Sequence, residues 1–208
     1  MLDVHAPEHG INGARDFFIH LLTITAGLLI AIALEQSVEA LHHRHQRKEA
    51  EELIRQEIRG NRTALQENEK GLTAELNGMK DALKILDGIS NGQSGTLQQN
   101  QLQFREGPMQ DSAWRTASTT GVLSYMDYDE VQRFSDAYKE QDELQAMAQL
   151  TINDYLELVP VLQGSTGGVV DEAHAKIALP YARSAMGHLS GMYFIGIGTM
   201  GAYDSALK

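Results

Sequence analysis

The sequence predicts a mainly α-helical protein, in which an N-terminal transmembrane helix continues into a long amphipathic helix packed in a helical bundle. Three observations carry this. An uncharged run, FFIHLLTITAGLLIAIAL, fills residues 17–34. Apolar residues recur at three-and-four spacing through most of the later chain. Glycine clusters separate those runs into a few long segments.

At about 1.5 Å per residue, the run from Phe17 to Leu34 approaches the ~30 Å of bilayer hydrocarbon. Its polar side chains are His20, Thr23 and Thr25. The threonine hydroxyls can bond back to the preceding turn, and His20 lies close enough to the end to reach the interface. A cleaved signal peptide would need a basic leader and a shorter core, and Ala33-Leu34-Glu35 is a poor small-x-small cleavage site. Leu34, Val38 and Leu41 carry an apolar stripe past the span, so the helix is expected to leave the membrane unbroken. Arg44, Arg47 and Lys48 then fall at headgroup height, interleaved with Glu49, Glu51 and Glu52.

The organisation read from this is a flexible tail over residues 1–16, an anchor and helix exit over 17–41, and a helical soluble domain over 42–208. In the last of these, Ile54, Ile58, Leu65, Leu72, Met79 and Leu86 keep near-heptad spacing, predicting one helix from about residue 34 to 87. Asn61, Asn68 and Glu75 sit where a tight coiled-coil seam needs apolar side chains, which favours a bundle over an extended zipper. Gly88, Gly92, Gly95 and Gly107 mark a loop. Asp111 or Ser112 can cap a short helix that holds Trp114 and ends near Gly121. Asp127 and Glu130 form a D-x-x-E start for a long helix carrying Val131, Phe134, Tyr138, Ala148, Ile152, Tyr155, Val159 and Leu162, with Pro160 expected to bend or end it. Gly164 to Gly168 is a second break, followed by a helix over 170–185 interrupted near Pro180. The uncharged tail 184–203 is too rich in glycine for a good span despite its Gly187/Gly191 pair, so it is expected to pack on the body.

Composition removes several functions. The formal charge of -11 and the lack of a basic patch argue against nucleic acid as a partner. The chain has no cysteine, which removes disulfides, thiolate metal sites and cysteine nucleophiles.

The stretch GLLIAIALEQSVEALHHRHQRKEAEELIRQEIRGNRTAL, with WRTASTTGVLSYMDYDEVQRFSDAYKEQDEL some fifty residues on, resembles an uncharacterised family of bacterial single-pass membrane proteins. The elements that match are Glu57 to Asn61, Trp114 before a helix ending at Gly121, and Tyr138 on the inner face of the next helix. The resemblance implies an anchor with a helical body outside the inner membrane, and no activity. The basic N-terminal tail usual in that family is absent here, and positive charge after the span favours the opposite orientation.

Candidate chemistry is sparse. Gly196-Ile197-Gly198-Thr199-Met200-Gly201 spells G-x-G-x-x-G but leaves no room for the helix and acidic residue that a dinucleotide site requires. His42, His43 and His45 could bind a transition metal with Glu39 or Glu49 one turn away, but only His42 or His43 would share a face with such a carboxylate and no H-E-x-x-H spacing is present, so the expected role is to solvate the helix exit; His174 and His188 are isolated. Trp114, Tyr125, Phe134 and Tyr138, with Tyr128, form an aromatic group that is either core or a pocket. No catalytic, cofactor-binding or metal residues are assigned. The expected role is a membrane-anchored structural or accessory subunit that engages lipid and protein partners or forms a homo-oligomer. A sensory or ligand-binding domain is the alternative, and an enzyme of unknown class the third.

Overall fold

A computed structural model describes residues 13–97, 102–105, 107, 109–163 and 169–208. The described residues form four α-helices and one 3-10 turn, with no strand: α1 (Ala14–Ser90), α2 (Ser112–Thr120), the 3-10 turn Val122–Tyr125, α3 (Tyr128–Gln163) and α4 (Glu172–Ala206). Most of the tail expected over 1–16 and the break at 164–168 lie outside them. The chain divides into two compact units, 1–48 and 49–208, and α1 runs through both without a break.

In the first unit α1 begins at Ala14, so the unbroken exit expected at Leu34 is present. Its best stretch has a mean hydropathy of 2.4, and none of that stretch is buried. Among the described residues this is the one helix long and apolar enough to cross a membrane. Thr23 and Thr25 donate to the carbonyls of Ile19 and Leu21, both at 2.8 Å, which satisfies their hydroxyls inside the apolar run.

In the second unit the three long helices bury side chains on a repeat of alternating three and four residues. On α1 these are Ile54, Ile58, Asn61, Leu65, Leu72, Met79, Ala82, Leu86 and Ile89. On α3 the line is Phe134, Ala137, Gln141, Leu144, Ala148, Thr151, Tyr155 and Leu158, and on α4 it is Ala175, Ala178, Ala182, Ala185, Leu189, Met192, Gly196, Thr199, Tyr203 and Ala206. A mean step of 3.5 residues keeps each helix turned toward its neighbours along its length, as in a left-handed bundle. Arg55 bonds Glu130 and Asn61 bonds Gln141, so α3 runs parallel to α1. Arg62 bonds Asp204 while Asp87 bonds Arg183, so α4 runs antiparallel.

Several local expectations change. On α3 the buried line passes through Thr151 and Leu158, and Ile152 and Val159 flank it half-buried. Neither Pro160 nor Pro180 ends its helix. The interruption expected at Pro180 is absent, and α4 continues through the glycine-rich tail. Glycine there allows close approach: a Cβ on Gly191 would come within 3.2 Å of Met147 on α3. Tertiary packing thus offsets the poor helix propensity of glycine.

A polar pin crosses the middle of this core. Gln141 is fully buried; its Oε1 accepts from Asn61 Nδ2 at 2.8 Å and from the Tyr203 hydroxyl at 2.6 Å. Asn61 also holds both backbone groups of Gln110, donating to its carbonyl at 2.6 Å and accepting from its N–H at 2.7 Å. Asn61→Ala is expected to leave the Gln110 amide and the Gln141 carboxamide short of partners and to cost about 3 kcal/mol. Urea unfolding in mild detergent, followed through the single tryptophan, measures this; Gln66→Ala on the exposed face should change stability by no more than ~0.5 kcal/mol.

Candidate functional site

The aromatic residues singled out from sequence surround the carboxylate of Glu57. Trp114 lies on α2 and Tyr138 on α3, and their rings stack at 5.3 Å with an interplanar angle of 10°. The Tyr138 hydroxyl donates to Glu57 Oε1 at 2.6 Å. Glu57 Oε2 accepts from the Ser112 hydroxyl at 2.8 Å and from the Ala113 N–H at 2.9 Å, and the Trp114 N–H reaches Oε1 at 3.4 Å.

Glu57 therefore caps α2 from another helix. Asp111 occupies the N-cap position, but its side chain makes no cap bond. A negative charge at exposed N–H groups is favoured by their partial positive charge. The far end of α2 is closed by Gly121 at φ 76°, the left-handed conformation that glycine adopts without strain. At the start of α3, Asp127 accepts from the Asp129 N–H at 3.0 Å, whereas Glu130 turns away to Arg55 instead of completing a capping box.

Chemically this centre is occupied. Each Glu57 oxygen accepts two hydrogen bonds, and burial together with the Glu57 charge pushes the Tyr138 phenol well above its ordinary 10.0, so Tyr138 acts as a donor at physiological pH. Phe134 is buried a turn away, beneath the Arg55 guanidinium at 5.4 Å from its centroid. Arg55 also donates to the Ala206 carbonyl at 2.9 Å, so one cation joins the start of α3 to the end of α4. Tyr125 and Tyr128 face solvent at 43% and 78% exposure, so the structure does not gather the aromatic group into one pocket.

The same face of α1 holds the returning chain. Glu75 accepts from the Arg105 N–H at 2.9 Å, and Asn68 accepts from the Gly107 N–H at 2.9 Å. With Asn61 on Gln110 and Glu57 on Ala113, the α1 numbers fall as the segment's rise. The described residues of this segment thus run back along α1, held by side chains four and seven residues apart.

The remaining sequence candidates do not converge. Arg44 and Lys48 are exposed and Arg47 half-buried in the first unit. His43 pairs with Glu39 at 3.4 Å, His174 with Asp171 at 2.8 Å and His188 with Asp154 at 2.6 Å. Among the described residues no group of three potential ligands could hold a metal ion. The G-x-G-x-x-G residues lie inside α4, with Gly196 buried against α1, so they form no phosphate loop. A surface groove of ≈ 500 Å³ lies between the returning segment and α3, lined by Leu102, Phe104, Ile152, Tyr155, Leu156 and Val159.

Comparison with protein-family models, with curated proteins and with solved structures finds no match to this chain.

Two predictions follow from the geometry. Because Trp114 is half-buried and stacked, Trp114→Ala is expected to cost about 2–3 kcal/mol, less than the full cost of an enclosed ring, as measured by urea unfolding followed by circular dichroism. Burial raises the Glu75 carboxyl above its ordinary 4.5, more than its bond from the Arg105 N–H lowers it. The folded chain then holds this proton more tightly than the unfolded chain, so ionised Glu75 opposes folding at neutral pH and the opposition fades as pH falls through the raised value. Glu75→Gln keeps an acceptor for Arg105; it should unfold at higher urea than the parent at pH 7, with the difference closing toward pH 4.5.

Proposed function

We propose that this chain is a membrane-anchored structural or accessory subunit, held in a bacterial inner membrane by one helix and presenting its helical body in the periplasm to protein partners. The observation that carries the reading is the two-part character of α1. Its first part exposes Phe18, Leu22, Ile24, Leu28, Ile30 and Leu34 at 60–70% each, a surface suited to lipid, while its second part buries one stripe against the other helices.

The use of the polar and aromatic candidates supports a scaffold. Glu57, Tyr138, Asn61 and Gln141 bond one another or the backbone, as groups that fix a shape do. Arg44, Arg47 and Lys48 begin about 15 Å beyond Leu34 at helical rise and are placed to meet anionic headgroups. The periplasmic assignment rests on the resemblance to bacterial single-pass proteins and on the glutamates mixed among those basic residues. A second reading, a ligand-binding body, draws on the apolar groove beside Phe104 and Tyr155, and a small molecule retained through purification in mild detergent would favour it.

Removing residues 1–40 should move the protein from the membrane fraction to the soluble fraction. Carbonate-resistant membrane association of the shortened chain would end the single-anchor reading. A reporter active only in the periplasm, fused after Lys208, should give signal; an active cytoplasmic reporter with a silent periplasmic one would reverse the orientation.

A further inference from the structure

α1 carries a second heptad stripe, distinct from the one it buries in the bundle. Ile24, Gly27, Ala31, Leu34, Val38 and Leu41 follow one another at three and four residues, and the same register reaches His45 and Lys48. Leu34, Val38 and Leu41 are exposed by 64–67%. Val38 and Leu41 lie beyond the uncharged run, about 6 and 10 Å past Leu34 at helical rise, where lipid hydrocarbon no longer covers them. Continued further, the register meets Glu52, Arg55 and Arg59, so the stripe stops where the bundle begins.

We infer that this stripe is the seam of a parallel homodimer, occupied by the same stripe of a second copy of this chain. Three features select that occupant. Assigning Leu34 and Leu41 to position d places Ile24, Ala31, Val38 and His45 at a, and β-branched residues at a with leucine at d favour two parallel strands. Gly27 and Ala31 form a small-xxx-small pair within the apolar run, which lets two helices approach closely in lipid. Arg44 then falls at g and Glu49 at the following e, the pair that meets across a parallel two-stranded seam, so each copy offers its partner a cation and an anion in matching register.

The seam deepens the scaffold reading and rests on its membrane anchor, which orients two copies alike and confines them to one plane. It assigns the exit helix a task of its own, pairing, and leaves the bundle surfaces free.

The chain has no cysteine, so single substitutions report proximity without background. In native membranes holding the full chain, mild oxidation of Val38→Cys and Leu41→Cys should give a product of twice the chain mass, several-fold more than Gln36→Cys and Ala40→Cys at positions f and c. Arg44→Glu should lower the yield from Val38→Cys, and adding Glu49→Arg should restore it. Equal yields at all four positions, no dimer, or adducts only to a protein of another mass would overturn the seam. Carbonate extraction of the same samples tests the anchor separately, because the cross-linking pattern is read whichever fraction holds the chain.

Discussion

The bundle turns on the carboxamide of Gln141, buried where α1, α3, α4 and the returning segment meet. A polar group taken out of water destabilises the fold unless its bonds are replaced. Here Oε1 takes two donors and Nε2 gives one bond to the Gln110 carbonyl at 3.1 Å. Sliding α4 by one heptad would part Tyr203 from Gln141, and sliding α1 so that Ile54 faced Gln141 would part Asn61 from Gln141, although apolar layers would still meet apolar layers. The pin therefore penalises wrong registers more than it stabilises the right one, the best-attested use of polar residues at seam positions.

Most of the polar chemistry in this chain follows from one topological need. α3 runs parallel to α1, so the chain must return along α1 between them, and the described residues of that return lie outside helix and strand. Backbone outside helix and strand leaves N–H and C=O groups without regular partners. Asn61, Asn68 and Glu75 supply those partners at heptad intervals, and Glu57, four residues before Asn61, closes the ladder by capping α2. Trp114 and Tyr138 stack beside that cap and Tyr138 donates to it, which explains why an aromatic group resembling a pocket in sequence acts as packing.

The second unit thus uses α1 as a scaffold for its own chain, and the first unit leaves the apolar run of α1 exposed. Along one unbroken helix the apolar stripe changes register near Lys48, from the line through Leu34, Val38 and Leu41 to the line through Ile54, Ile58 and Leu65. A helix that only carried a body away from a membrane would not need the first line to extend past Leu34. The proposed seam rests on its persistence over Val38 and Leu41 and on the charges at Arg44 and Glu49.

What the sequence determined by itself was local and periodic. The apolar run 17–34, the three-and-four spacing of Ile54 to Leu86, and the left-handed stop at Gly121 depend on residues close along the chain, and each was legible as an element. Even the anomaly was visible, because Asn61, Asn68 and Glu75 stood out at seam positions. Their partners were not visible, because those are backbone groups 30 to 49 residues away, and a backbone N–H carries no signature in sequence. The helix through Gly187 to Gly201 was likewise decided by tertiary structure. Propensity argues against it; close approach to α3 accounts for Gly191 and Gly198, while a Cβ at Gly187 or Gly201 would meet open space, so packing of the rest of α4 carries the helix through them. Glu57 stood out only as the start of the Glu57–Asn61 element and Arg55 not at all; what made them a cap and a clasp was the arrival of helix ends that their own neighbourhood does not encode.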